Sequence, residues 1–148
     1  MDERKRPSTD STKYYLKRYK KNREMIKWLR KRLVSLSSRI EGLKSPGISD
    51  MPRGGEHKNK EDLIAEKVDI ERRIEKFKAR GARFRREIID VIDTLDNCHE
   101  AEVLERYLID CEEFDEIAAA MGFSERHVVR LYTSAVTKIA DLRREPVG

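Results

Sequence analysis

Apolar residues step along the first third of the chain by threes and fours. Tyr15, Tyr19, Ile26, Leu29, Leu33, Leu36, Ile40 and Leu43 form the row, with one polar gap at Asn22. A heptad row held for about four heptads predicts one long helix, Ser11 to Leu43, whose seam needs a partner helix. "STDS" ahead of it supplies N-cap oxygens. A second row, Leu63, Ile70, Ile74, Phe77, Phe84, Ile88, Val91 and Leu95, is broken at Lys67 and Gly81 and predicts a helix from Lys60 to Leu95. Each helix comes to some 50 Å at about 1.5 Å per residue. Between them "KSPGISDMPRGGEHKNK", with Pro46, Gly47, Pro52, Gly54 and Gly55, predicts a linker over 44–59. Equal lengths and matching seams favour an antiparallel hairpin folded on itself. The linker is long enough for the alternative, in which the first helix pairs with another copy.

The pattern restarts at "DNCHEAEVLERYLID". Asn97 with Glu100 three residues on has the form of a capping box and opens a short helix to Ile109. Asp110 and Glu113 repeat the device for a helix that ends at Met121 and Gly122, and a last helix begins at Ser124. No strand signal appears. The expected fold class is all-α: a long antiparallel helical hairpin (coiled coil) followed by a small helix-turn-helix head. The expected organisation is a disordered basic N-terminus over 1–10, the hairpin over 11–96, the head over 97–143 and a tail over 144–148.

"FDEIAAAMGFSERHVVRLY" meets several demands of a helix-turn-helix together. Ala118 is small where two helices cross, and four residues later Gly122 tolerates the positive φ of the turn. Val128, Leu131, Ala135, Ile139 and Leu142 make a stripe to bury, facing Ile117 and Met121. Ser124 caps the second helix, whose free N–H groups attract phosphate. The opposite face carries Arg126, His127, Arg130 and Lys138, with Ser124, Glu125, Thr133 and Ser134 beside them. These eight are the candidate DNA-binding residues: arginine suits guanine edges, and Glu125 can accept from cytosine. The bland alternative is a helical pair in a bundle with a solvated charged face.

Charge sharpens the picture. Residues 1–60 hold 18 Lys/Arg against 7 Asp/Glu, residues 61–97 hold 9 against 10, and residues 98–148 hold 6 against 11. The net charge of +5 therefore hides a basic front and an acidic back, which suggests different partners for the two ends. The head alone is expected to bind DNA weakly, because non-specific affinity comes mostly from cations on phosphate. The basic first helix, dimerisation through the long helices, or a polymerase held alongside would have to supply the deficit. For "RKRP" and "KKNREMIKWLRKR" three readings stand: a solvated coiled-coil face, phosphate contact, or an acidic protein partner. Trp28 either widens the core or anchors a partner. In "DMPRGG", Met51 and Pro52 either pack on the hairpin end or belong to an arm whose Arg53 reaches a groove or polymerase.

Other chemistry is expected to be absent. Two cysteines are too few for a disulfide framework. Cys98, His99, Cys111 and His127 make a poor zinc set, since the first two are adjacent and His127 points outward. No nucleophile–base pair or phosphate loop stands out, so an enzyme, a catalytic residue, a metal and a cofactor are not expected. No apolar run reaches the roughly 18 residues of a membrane span, and "MDERKRPSTD" lacks the apolar core of a signal peptide. The expected location is cytoplasmic.

"FDEIAAAMGFSERHVVRLYTSAVTKIADLR" resembles region 4 of bacterial sigma-70 factors. Ala135, Lys138 and Ile139 match its ending, and "EVLERYLID" matches its preceding helix. Across nearly the whole chain, with "SDMPRGG" as the most distinctive element, the sequence is similar to small phage and prophage proteins of Gram-positive bacteria related to the ArpU/RinA-type late-transcription regulators. That resemblance implies binding of double-stranded DNA near late phage promoters in the host bacterial cytoplasm, together with host RNA polymerase. Two alternatives stand beside it. One is a structural DNA-packaging component such as a small terminase subunit, though its DNA-binding unit comes first rather than last. The other is a sigma mimic that occupies polymerase without reading bases.

Overall fold

The computed structural model of the chain describes residues 9–44 and 59–143, and every regular element among them is helical. The expectations for the N-terminus up to residue 8, for the linker with Met51, Pro52 and Arg53, and for the tail from residue 144 lie outside the described residues. None of the described helices is long and apolar enough to cross a membrane.

The first row of apolar residues forms two helices, α1 (Thr9–Leu16) and α2 (Arg18–Lys44), where the periodicity predicts one. The local cause is Arg18, whose Nε donates to the carbonyl of Tyr15 at 2.8 Å while its guanidinium lies over the Tyr15 ring. A side chain entering the backbone ladder distorts a helix without ending it. Bonds from Lys17 N to Lys13 O and from Lys21 N to Lys17 O carry the chain across the irregularity. α3 (Lys60–Ile92) starts at Asn59, whose Oδ1 accepts from Asp62 N at 2.8 Å. It stops three residues earlier than the row of apolar residues suggests. There the chain tightens into i→i+3 bonds, Thr94 N to Val91 O and Leu95 N to Ile92 O, and the Thr94 hydroxyl also donates to Val91 O at 2.6 Å.

α4 (Cys98–Leu104) is capped by Asn97, whose Oδ1 accepts from His99 N and Glu100 N. A π-helical turn over Glu105–Ile109 follows, closed by Asp110 N on Glu105 O. Cys111 then takes a left-handed φ of 61°. Because the chain turns there, the expected Asp110/Glu113 box does not form. The reciprocal cap lies three residues on, where Glu116 Oε1 accepts from Glu113 N at 2.7 Å and opens α5 (Phe114–Met121). Gly122, at φ 73° and ψ 29°, ends α5, and α6 runs from Glu125 to Arg143.

Packing divides the chain within the long helices. One compact unit joins the residues up to Lys21 to those from Gly81 onward; the other is Asn22–Arg80. The core of the first draws on every element in it: Leu16 of α1, Ile88 and Ile92 of α3, Val103 and Leu104 of α4, Leu108 of the π-turn, Ile117 of α5 and Val128, Ala135, Val136 and Ile139 of α6. The second is held by Leu29, Leu36 and Ile40 of α2 with Leu63, Ile70 and Ile74 of α3. Each wholly buried leucine or isoleucine contributes about 1.5–3 kcal/mol over an exposed one. Asn22, the gap in the first apolar row, is 6% exposed, and its buried Oδ1 accepts no hydrogen bond from the described residues.

Candidate functional site

α6 is presented by what lies beneath it. Ile117 and Ala118 of α5 are buried in the core that α6 shares, and the left-handed Gly122 ends α5 and turns the chain toward α6. Ser124 Oγ accepts from His127 N at 3.1 Å, satisfying one of the free N–H groups of the first turn. The buried stripe differs from the expected one. Val128, Ala135 and Ile139 are buried as predicted, but Tyr132, Val136 and Ala140 take the remaining places. Leu131 is half-buried and Leu142 is 54% exposed. Tyr132 was the harder residue to place from sequence: its ring fits edge-on against Tyr107 and Phe114, which stack on each other at 4.5 Å. Burial pushes its hydroxyl up to about 12, with Tyr107 beside it, and that hydroxyl has no hydrogen-bond partner among the described residues.

The eight candidate residues fall into two groups. Ser124, Glu125, Arg126, His127, Arg130 and Thr133 are exposed. The ring of His127 meets Phe123 edge-on at 4.8 Å, and His99 meets the same ring at 5.3 Å, so the turn is flanked by two imidazoles. Ser134 and Lys138 do not stand clear of the support as expected. Ser134 Oγ donates to Glu100 Oε2 at 2.7 Å, and Lys138 Nζ reaches Glu100 Oε1 at 2.9 Å. The physical reason is Glu100, only 4% exposed, because a carboxylate taken out of water requires donors. The expected return cap from Glu100 to Asn97 gives way to this tie between α4 and α6.

Two further residues on the exposed face escaped the sequence reading. Val129, 40% exposed, lies three residues beyond Arg126 and next to Arg130. Thr137 is exposed, its hydroxyl donating to Thr133 O at 2.9 Å. Helical spacing from Arg126 and Thr133 was the available signal for both.

The acid of "DCEEFDE" is largely taken up by local structure. Arg106 binds Glu102 at 2.8 Å and Glu112 at 3.3 Å, and these contacts raise the pKa of the guanidinium. Glu116 caps Glu113 N, and Asp115 Oδ1 accepts from Glu116 N at 2.9 Å. Negative groups at the start of α5 also suit the positive end of its dipole. Arg143 at the other end of α6 is occupied too, over the Tyr15 ring at 4.2 Å and bonded to Thr12 Oγ1. Of the five cations in residues 98–143, then, Arg106, Lys138 and Arg143 are engaged, leaving Arg126 and Arg130 exposed and without an acidic partner among the described residues.

Cys98 and Cys111 are free thiols, the first exposed. Among the described residues no three His, Cys, Asp or Glu side chains come together in a way that could hold a metal.

The family of proteins of unknown function DUF1492 matches residues 42–140, from the end of α2 through most of α6, and the chain belongs to it. Neither a curated protein nor a solved structure matches.

Proposed function

We propose that this member of DUF1492 is a sequence-specific DNA-binding regulator of transcription, with α5, Gly122 and α6 acting as a helix-turn-helix. In this reading α6 enters the major groove. Arg126 and Arg130 address guanine, Thr133 and His127 contact neighbouring bases or phosphate, and Glu125 accepts from cytosine. Ser124 sets the helix start against the backbone. The observation that carries the reading is the contrast along α6. Its inner side is tied down by a core and by Glu100, while Arg126 and Arg130 stay exposed with no acidic partner among the described residues. A solvated bundle face has no need of such segregation.

The finer architecture belongs to the same proposal. α2 and α3 form an antiparallel coiled coil that pairs Ile26 with Phe77, Leu29 with Ile74, Leu33 with Ile70 and Ile40 with Leu63. Each pair joins an a position to a d position, as two heptads running in opposite directions demand. All eight residues belong to a single hydrophobic cluster among the described residues of Asn22–Arg80. The sigma region 4-like sequence of the C-terminal helices supports action beside host RNA polymerase at late phage promoters.

Selection of binding sites from a random duplex pool, followed by footprinting on the parent genome with and without RNA polymerase, tests the reading. A defined site is expected. Arg126→Ala and Arg130→Ala should each cost about 1–3 kcal/mol at that site and relax preference at one position. A wild-type protein that selects no sequence, or variants that keep the wild-type preference, would sink the proposal.

A further inference from the structure

The charge state of α6 poses a quantitative problem. Two exposed cations release about two counterions from duplex DNA, which gives a weak, shallow salt dependence. Asp110, Glu113, Asp115, Glu116 and Glu125 of the same C-terminal region are exposed and negative. A protein that finds a site on DNA therefore needs a second cationic surface, and Lys138, Arg106 and Arg143 cannot provide it while they are engaged.

α2 has one. Lys27, Arg30 and Lys31 are exposed and stand at i, i+3 and i+4, so they share one face of the helix. None has a carboxylate at ion-pair distance among the described residues, not even Lys27, three residues after Glu24. α2 carries only Glu24 and Glu41 as acids in its 27 residues. Like charges at these spacings destabilise a helix. The arrangement thus works against the free protein, and a bound polyanion would relieve it.

We infer that this face of α2, centred on Lys27, Arg30 and Lys31, is a sequence-independent contact surface for the phosphate backbone of duplex DNA. The inference rests on the DNA reading proposed for α6 and assigns α2 the part that α6 cannot perform. An acidic protein is the competing occupant. Lysine, two of the three cations here, is depleted at protein interfaces, whereas it serves phosphate well as a point charge. Arg32 lies over one face of the neighbouring Trp28 ring at 5.0 Å, and the residue stays 48% exposed. α2 then supplies affinity and α6 supplies preference.

The test uses the full chain and measures binding to a 30-base-pair duplex, selected or scrambled, across a salt series. Lys27→Ala/Arg30→Ala/Lys31→Ala should lower the slope of log affinity against log salt by about 2.7, at about 0.9 per lost phosphate contact. Selected and scrambled duplexes should weaken by the same factor, so that their ratio stays at the wild-type value. The variant should melt no lower than wild type, since like-charge repulsion has been removed. A wild-type slope in the variant overturns the inference and points to an acidic protein on that face. So does a loss confined to the selected duplex. If the wild-type chain prefers its site while the slope is unmoved, only this inference fails; if it binds no duplex, the reading of α6 fails with it.

Discussion

Glu100 on α4 and Lys138 on α6 are joined by an ion pair of 2.9 Å in which the carboxylate is almost wholly buried and the lysine side chain half-exposed. With Ser134 as the second donor, the pair fastens the support to the helix proposed to read DNA. Glu100→Gln should lower stability by about 1–2 kcal/mol, less than the loss of a fully buried pair because Lys138 remains partly solvated. The same change releases a cation on α6. The salt slope for DNA binding should steepen by about 0.9 if Lys138 then finds a phosphate. Thermal melting and a salt series on one preparation measure both effects.

Gly122 adopts φ 73°, and a Cβ built there would meet nothing within 4 Å. The cost of Gly122→Ala is therefore purely conformational, about 1–2 kcal/mol. Denaturant unfolding should show that loss with an unchanged m-value. Gly122→Asn should recover part of it, because asparagine tolerates the left-handed region.

Val129 stands exposed between Arg126 and Thr133 on the proposed reading face. An apolar branched side chain there suits the 5-methyl group of thymine. Replacing thymine by uracil at one position of the selected site should weaken wild-type binding several-fold and leave Val129→Ala indifferent. Equal losses in both proteins would count against the contact.

Tyr132 is held protonated up to about pH 12 by its burial, against the ordinary value of 10. A group whose folded pKa is raised contributes stability that is complete below its unfolded pKa and disappears as pH climbs through the folded one. The stabilisation is thus lost between about pH 10 and 12. Absorbance titration of phenolate should show one late tyrosine. Tyr132→Phe should remove it and, with no hydrogen bond forfeited, keep at least wild-type stability at neutral pH.

Asn22 places in an apolar row a buried amide oxygen that finds no donor among the described residues. Asn22→Leu should raise stability by about 1–3 kcal/mol, the usual burden of an unsatisfied buried polar group. A polar seam residue commonly fixes register and oligomer state. Light scattering on the variant should therefore reveal a changed or mixed association state if Asn22 has that role.

Periodicity located the helical stretches, though not the break between α1 and α2 or the end of α3. Leu29, Leu36 and Ile40, and Leu63, Ile70 and Ile74, were legible because helical spacing is a local property, and these six are buried. Other members of the rows, Tyr15 and Val91 among them, are only half-buried, while the neighbouring Leu16 and Ile92 take the core places. Ser124 and Gly122 were legible for the same reason, since a cap and a left-handed turn depend on a few adjacent residues. The tertiary structure decided everything that depends on neighbours far along the chain. No local pattern marks Glu100 as buried, so none could show that Ser134 and Lys138, 34 and 38 residues away, turn toward it. Nor could spacing choose Tyr132 over Leu131 for the core, a choice made by the rings of Tyr107 and Phe114. Which cations of the C-terminal helices stay free was settled by burial and ion pairing, and those act through space rather than along the sequence.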